Sequence, residues 1–239
     1  MRPFILISLC LFFQTTLTGQ KSQWDSVAKD FLLGKINYSK DTLFQKLPAS
    51  ISTKENAFLL KEVYDSLQKM IDAAHRDGVE FKVISASRNF DQQKAIWEKK
   101  WIARKGQYPK GLDRAKNILL YSSMPGTSRH HWGTDFDLNA LDPKYFAQGK
   151  GQKEYYWLCI HAERYGFYQP YDSAPDRTGY NEEKWHWSFF PIAQQLTAQY
   201  LEKIQYTDLA PFQGAEFAKE LNVIQYYVNG IQPPPTKKK

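Results

Sequence analysis

A ten-residue segment in the middle of the chain, Ser128 to Asp137, contains two histidines, one glycine and two aspartates. Gly133 follows the histidines and permits a tight reversal of the backbone before the aspartates. Asp135 and Asp137 are two positions apart, so on a strand both side chains point to the same face. Two carboxylates on one face repel each other unless a cation or hydrogen-bond donors compensate them. A fold that holds this segment therefore has to supply such a partner.

A metal ion is one such partner. A catalytic zinc ion takes three nitrogen or oxygen ligands from the protein and keeps a fourth position open for water. A histidine before the glycine turn and a carboxylate on the following strand can converge on one ion, and the third ligand has to come from elsewhere. The segment Glu183-Lys184-Trp185-His186 offers it. A carboxylate three residues before a metal-bound histidine can act as a general base on water without binding the metal. Each segment by itself is also compatible with coincidence.

The remaining histidines have structural interpretations. His75 lies at the end of a predicted helix, where a favourable contact with the helix dipole accounts for it, and His161 lies within another helix. His131 directly follows His130, and we do not expect it to ligate a metal, because neighbouring side chains diverge.

The N-terminal residues 1–19 differ from the rest of the chain. An apolar run from Phe4 to Phe13 follows the basic residue Arg2. The run is too short to span a bilayer and is typical of an export signal, with a buried N-terminal strand as the alternative. Cleavage of the signal leaves no transmembrane segment and Cys159 as the one cysteine, which we expect to be buried and apolar. The predicted location is the periplasm or another part of the cell envelope.

Periodicity of apolar residues predicts one α+β domain, with a small antiparallel sheet flanked by helices. A lead-in (20–53, with a helix opening at 24–28) precedes the main domain (54–205), and a C-terminal extension with a disordered basic tail (206–239) follows it. Between 105 and 126 we expect a long loop. The predicted helices are 54–76, 91–104, 154–165, 192–204 and a less regular one at 214–227; the predicted strands are 81–85, 134–139, 167–168 and 185–189.

The net charge of the chain is +7. A basic protein can bind nucleic acid, but no basic stripe interleaved with aromatic residues is present, so we expect no nucleic-acid partner. For an exported protein an anionic polymer of the cell envelope is a better partner than nucleic acid, but a merely solvated basic surface is favoured over both.

Three motifs together resemble a known family. They stand in the family's order between Phe81 and Phe189, and the family is that of the VanY-type zinc D-alanyl-D-alanine carboxypeptidases and their D,D-dipeptidase relatives. The motifs are Ser85-Ala86-Ser87-Arg88-x-x-x-x-Gln93, Ser128-x-His130-x-x-Gly133-x-x-x-Asp137 and Glu183-x-x-His186.

The resemblance implies a role for each matching residue. Glu183 would be the catalytic base, and Arg88 would hold either the terminal carboxylate of the substrate or the developing oxyanion. Ser128 and Gln93 would support substrate binding. The implied ligands of one zinc ion are His130, Asp137 and His186.

Asp135 departs from the family pattern, which often has an alanine at this position. The extra carboxylate could orient a ligating histidine or compete with Asp137 as a ligand. A second open point is Arg88, for which an ordinary surface ion pair is the alternative.

The resemblance implies a peptidase that acts on the stem peptides of peptidoglycan, with removal of a terminal D-alanine as the leading activity. The alternatives are a D,D-dipeptidase, an endopeptidase of cell-wall peptides, and a non-catalytic zinc-containing binding domain of the same fold. Glu183 and Arg88 favour an enzyme, because a binding domain has no need of a base beside the metal.

Overall fold

The computed structural model describes residues 22–233. The predicted export signal and the basic tail from Pro234 onward lie outside these residues. Among the described residues the α-helices are α1 (Lys29–Leu32), α2 (Lys61–Arg76), α3 (Phe90–Ala103), α4 (Gly111–Ile118), α5 (Gly149–His161) and α6 (Phe190–Lys203). The strands are β1 (Phe44–Lys46), β2 (Phe58–Leu60), β3 (Val83–Ser85), β4 (Asp135–Leu138), β5 (Phe167–Tyr168) and β6 (His186–Phe189).

The central sheet has four antiparallel strands in the order β3-β4-β6-β5. Its register places Asp137 of β4 opposite both Ser85 of β3 and His186 of β6. Asp135 lies opposite Ser188 in the same pairing. All four residues of β4 are buried, so the polar side chains of this strand need partners inside the protein.

Two turns direct the motif residues toward the sheet. Gly133 has a φ of +72°, and an added Cβ there would lie 2.4 Å from the ring of Phe44, so this reversal requires glycine. Arg88 immediately precedes Asn89, the N-cap residue of α3. The helix begins with a capping box, in which Asn89 accepts a hydrogen bond from the amide of Gln92 and the Gln92 side chain accepts one from the amide of Asn89. This cap fixes the turn that carries Arg88.

One hydrophobic core extends under the whole described chain. Helix α2 buries Val63, Leu67 and Met70 against it, as an amphipathic helix should. The lead-in contributes Leu32, and the C-terminal extension contributes Leu209, to the same core. Both flanking segments therefore belong to a single α+β domain, and that fold class is confirmed. None of the helices between residues 22 and 233 has the length and apolar composition needed to cross a bilayer.

Several local predictions are wrong. The segment 105–126 is not a continuous loop, because it contains the short helix α4, which begins at Gly111. This helix is too short for a periodic pattern of apolar residues to predict it. The helix predicted from Lys54 begins instead at Lys61, since Phe58–Leu60 pairs with Phe44–Lys46 in a second small sheet. The lead-in helix is at 29–32 and not at 24–28, and the segment 214–227 forms short 3-10 and π turns in place of a regular helix.

Cys159 is exposed, which contradicts the prediction that it is buried. Helix α5 turns Trp157 and Leu158 toward the core. The next residue is rotated by about 100° around the helix axis, and this places Cys159 on the outer face.

Candidate active site

His130, Asp137 and His186 form a buried cluster on the central sheet. Nδ1 of His130 donates to the carbonyl oxygen of Ala86 over 2.8 Å, which turns Nε2 toward Oδ1 of Asp137 at 3.4 Å. Nδ1 of His186 lies 3.0 Å from the same Oδ1. One potential ligand atom from each of the three residues lies within 4.8 Å of the others. Two imidazole nitrogens and a carboxylate oxygen are a donor set that zinc takes in catalytic sites, so these residues fit a zinc ion.

Asp135 lies behind this cluster and makes four hydrogen bonds. Oδ2 accepts from Nε2 of His186 over 3.0 Å and from Nε of Arg129 over 2.9 Å. Oδ1 accepts from the hydroxyl groups of Thr134 and Ser188 over 2.6 and 2.9 Å. Burial acts to raise the pKa of Asp135, but Arg129 and His186 outweigh it and hold the pKa well below its usual range. Asp135 is therefore an ionised partner of His186.

Arg129 compensates the charge of Asp135 in the protein interior. Its side chain is fully buried, and besides Asp135 its guanidinium group donates to Thr197 Oγ1 over 2.9 Å and to Ser188 Oγ over 2.8 Å. The guanidinium carbon lies 5.0 Å from the ring centre of Trp132. Arg129 thus supplies part of the positive charge that the two aspartates require. The sequence did not suggest this role.

Glu183 lies at the edge of the cluster and is buried. Its Oε2 is 3.7 Å from Nδ1 of His186, and its amide donates to the carbonyl oxygen of Tyr171 over 2.8 Å. Burial is the main influence on its carboxyl group and raises the pKa of Glu183 to about 7. A carboxyl group with this pKa can accept a proton and release it again near neutral pH.

Arg88 approaches the cluster from the end of β3. Its Nη1 donates to Oγ of Ser85 over 3.0 Å and lies 3.9 Å from Oδ2 of Asp137. The backbone amide of Arg88 donates to the carbonyl oxygen of His130 over 3.1 Å. Its Nε is buried and has no hydrogen-bond partner within residues 22–233. Arg88 is therefore held near the metal-ligating atoms with part of its guanidinium group available to a ligand.

His131 does not point into the cluster, in agreement with its predicted divergence from His130. Its Nε2 accepts a hydrogen bond from the amide of Gly126 over 3.0 Å, so Nδ1 carries the proton and donates to the carbonyl oxygen of Arg88. Burial lowers the pKa of His131 to about 3 and keeps the ring neutral. His131 thus ties the backbone of Arg88 to the turn at Gly126.

A cavity of about 350 Å³ opens onto the cluster. The two predicted substrate-binding residues, Ser128 and Gln93, differ in their position relative to the cavity. Ser128 lines the cavity, and its buried hydroxyl group has no partner among the described residues. Gln93 is not among the lining residues; its Nε2 donates to the carbonyl oxygen of Ser123 over 2.8 Å, behind the wall. The sequence also missed cavity residues, among them Lys54, Lys100, Tyr121, Tyr171, Tyr180 and Trp185.

Helical spacing could have identified one of these residues. Lys100 follows Gln93 by seven positions and Ile96 by four, which places all three on one side of α3. Ile96 and Lys100 both line the cavity. The tyrosines carry no comparable signal, because Tyr171 and Tyr180 lie in an irregular segment before Glu183.

A model of the VanY family, described as D-alanyl-D-alanine carboxypeptidase, matches residues 56–192. The chain is 30% identical over 139 residues to the putative carboxypeptidase YodJ of Bacillus subtilis (strain 168), covering 55% of this chain and 46% of that relative. It is 31% identical over 129 residues to a D-alanyl-D-alanine carboxypeptidase of Enterococcus faecalis, covering 53% of this chain and 46% of that relative. The matches thus span less than half the length of these curated relatives.

Two solved structures are similar to this one. The first is the vancomycin resistance D,D-pentapeptidase VanY from a VanB-type cassette in complex with Zn(II), with a TM-score of 0.52 and 25% identity over 69% of this chain and 86% of that chain. The second is VanYB in complex with D-alanine-D-alanine, with a TM-score of 0.53 and 25% identity over 71% of this chain and 93% of that chain. The fold described above therefore has counterparts among solved proteins, one in complex with Zn(II) and one in complex with D-alanine-D-alanine.

Proposed function

Since this chain belongs to the VanY family, we propose that it is a zinc-dependent D,D-carboxypeptidase that removes the terminal D-alanine from peptidoglycan stem peptides. The observation that carries the proposal is the position of Glu183, which is buried beside the His130–Asp137–His186 cluster and lines the cavity of about 350 Å³. A binding domain does not require a buried carboxyl group there. Location in the cell envelope stays a prediction from the N-terminal sequence.

His130, Asp137 and His186 are the proposed holders of the metal. Hydrogen bonds to Ala86 and Asp135 fix the two imidazole rings so that one nitrogen of each faces Asp137. When bound, zinc supplies Lewis-acid polarisation of a carbonyl group and makes water more acidic. The protein contributes the fixed orientation of the three ligands, because rings that are already held lose little freedom when they bind.

Glu183 is the proposed general base. Its carboxylate takes the proton from the attacking water and passes it to the nitrogen of the leaving D-alanine, so the C–N bond breaks with an amine as the leaving group. A pKa raised to about 7 suits both halves of this transfer. The interior around Glu183 also limits competing water, since the residue is 6% exposed.

Arg88 is the proposed stabiliser of negative charge on the scissile carbonyl oxygen. Its guanidinium group is held by Ser85 and lies next to Asp137, where the reacting carbonyl has to approach. Ser128 has a free hydroxyl group in the cavity wall and is a proposed hydrogen-bond partner of the peptide. The proposed role of Gln93 is indirect: its hydrogen bond to the carbonyl oxygen of Ser123 positions the chain segment around Ser123.

Product analysis with a pentapeptide ending in D-alanyl-D-alanine tests the proposal. We expect one equivalent of free D-alanine and a tetrapeptide, and no products from the Glu183→Gln protein. Release of the dipeptide would identify a D,D-dipeptidase, and cleavage only within cross-linked peptides an endopeptidase. Zinc binding without any turnover would leave the non-catalytic domain as the function.

A further inference from the structure

Lys100 is a cation of the catalytic cavity that the proposed mechanism does not use. It lies in the last turn of α3, is half-buried, and lines the same cavity as Arg88 and Glu183. Among the other basic residues that line the cavity, Arg88, Arg129, His130 and His186 each have an acidic partner. Within residues 22–233 the ammonium group of Lys100 takes part in no ion pair.

The electrostatic surroundings of Lys100 are unfavourable for an isolated cation. Burial lowers its pKa, and the positive charges of Arg104 and Arg88 lower the pKa further, while Glu183 opposes them. Arg104 is itself occupied, because its Nε donates to Oδ1 of Asn117 over 2.6 Å. A half-buried ammonium group that feels the positive charge of two guanidinium groups is stabilised when an anion enters the cavity beside it.

Arg88 is not placed to bind every negative charge of a peptide substrate. Its Nη1 is fixed by Ser85 and lies 3.9 Å from a carboxylate oxygen of Asp137, so it faces the position of the scissile carbonyl group. The terminal carboxylate belongs to the following residue, and consecutive Cα atoms are about 3.8 Å apart. A separate cation that lines the same cavity, as Lys100 does, suits that carboxylate.

We propose that Lys100 binds the C-terminal carboxylate of the peptide substrate and thereby makes the enzyme a carboxypeptidase, while Arg88 acts on the scissile carbonyl. The inference rests on the proposed function. It assigns one negatively charged group of the substrate to each cation: the C-terminal carboxylate to Lys100 and the developing oxyanion to Arg88. From its chemistry alone, an arginine could bind either group. Lys54 also lines the cavity, but its side chain is exposed, and an ammonium group in water contributes little to binding a carboxylate.

The test compares two pentapeptides that differ only at the C-terminus, one as the free acid and one as the amide. The unchanged protein is expected to prefer the acid through a lower KM. Lys100→Met should raise the KM for the acid roughly tenfold to a hundredfold, the usual loss for a hydrogen bond to a charged group, and should leave kinetics on the amide nearly unchanged. Lys100→Arg should keep most of the preference, because the charge is retained.

Lys99→Met is the matched control. It removes the same charge from the neighbouring position of α3, but Lys99 is exposed and is not among the cavity-lining residues. We expect this variant to retain the preference for the acid. Binding of the same two peptides to proteins that carry Glu183→Gln, with and without Lys100→Met, gives a readout independent of turnover. Lys100→Gln replaces Lys100→Met in both assays if the methionine variant does not fold.

Four outcomes would overturn the inference. An unchanged ratio of acid to amide in the Lys100 variants, with loss of the ratio in Arg88→Lys, would assign the terminal carboxylate to Arg88. An equal loss on both peptides would place Lys100 at the reacting carbonyl. If the unchanged protein hydrolyses neither peptide, the proposed function fails together with this inference, whereas hydrolysis of both peptides with equal efficiency refutes only the inference.

Discussion

Nε2 of His186 donates a hydrogen bond to Oδ2 of Asp135 over 3.0 Å, and Nδ1 of the same ring lies 3.0 Å from Oδ1 of Asp137. Asp135 is held by three further donors, so it fixes the ring with Nδ1 directed toward Asp137. The two aspartates, which share one face of β4, thus occupy different positions. This geometry favours Asp137 as a metal ligand and Asp135 as the residue that orients His186.

Metal analysis should find about one zinc ion per chain, because three protein ligands and one water complete a tetrahedral site. His130→Ala and His186→Ala should each lose most of this zinc. His75→Ala is the control, since His75 is exposed and pairs with Glu80 outside the cluster. Zinc content that stays the same in both ligand variants would show that the metal binds elsewhere.

Glu183→Gln should keep its zinc while turnover falls by about two to four orders of magnitude, the usual cost of losing a general base. The amide group keeps the size of the side chain but cannot take up the proton. Plasma emission spectroscopy and D-alanine release, measured on the same preparation, separate the two effects. A parallel loss of zinc and activity would make Glu183 a ligand.

Asp137→Asn should largely abolish zinc binding, whereas Asp135→Asn should weaken it by roughly ten- to a hundredfold, as is common for residues that orient a ligand. Chelator competition measures both affinities. Asp65→Asn, a change at an exposed position of α2, controls for the loss of one negative charge. If Asp135→Asn weakens zinc binding more than Asp137→Asn does, Asp135 is the metal ligand and Asp137 is the residue that orients His186.

Arg129→Met should lower the free energy of unfolding by about 3–5 kcal/mol, because it leaves the buried carboxylate of Asp135 without its cation. The double variant Arg129→Met/Asp135→Ala should lose less than the sum of the two single changes, since neither charge then remains buried alone. Urea unfolding of the four proteins measures this coupling. Strict additivity would mean that the pair does not interact energetically.

His131 predicts a pH dependence of stability. Its pKa is about 3 in the folded protein and has the ordinary value of 6.5 in the unfolded chain. Between these values only the unfolded chain binds the proton, so the stability from the neutral ring is complete above pH 6.5 and is lost as the pH falls toward 3. The contribution to the slope is about 1.4 kcal/mol per pH unit.

Urea unfolding of zinc-free protein at pH 5 and pH 6 tests this contribution. We expect the unchanged protein to lose stability more steeply than His131→Gln, because glutamine does not titrate and the other ionisable groups are shared. Parallel curves for the two proteins would show that His131 is protonated in the folded state.

Local sequence patterns were sufficient to predict the strands of the central sheet. The strands 167–168 and 185–189 were predicted in short aromatic-rich segments, and the structure has them at nearly the same residues. Helix α4 and the pairing of β1 with β2 were missed. Their segments are too short for a periodic pattern, and their conformation depends on partners distant in sequence.

The spacing of His130, Gly133 and Asp137, followed by Glu183 and His186, predicted a candidate metal site and base once it was combined with the family resemblance. The reason is that ligand type, turn and strand period are all encoded within a few residues. Tertiary structure alone decided the rest. The contact of Asp135 with His186, the hydrogen bond from the neutral His131 ring to the Arg88 carbonyl and the position of Lys100 in the cavity depend on how α3, β4 and β6 pack together. Such contacts join residues far apart along the chain, so no local spacing determines them.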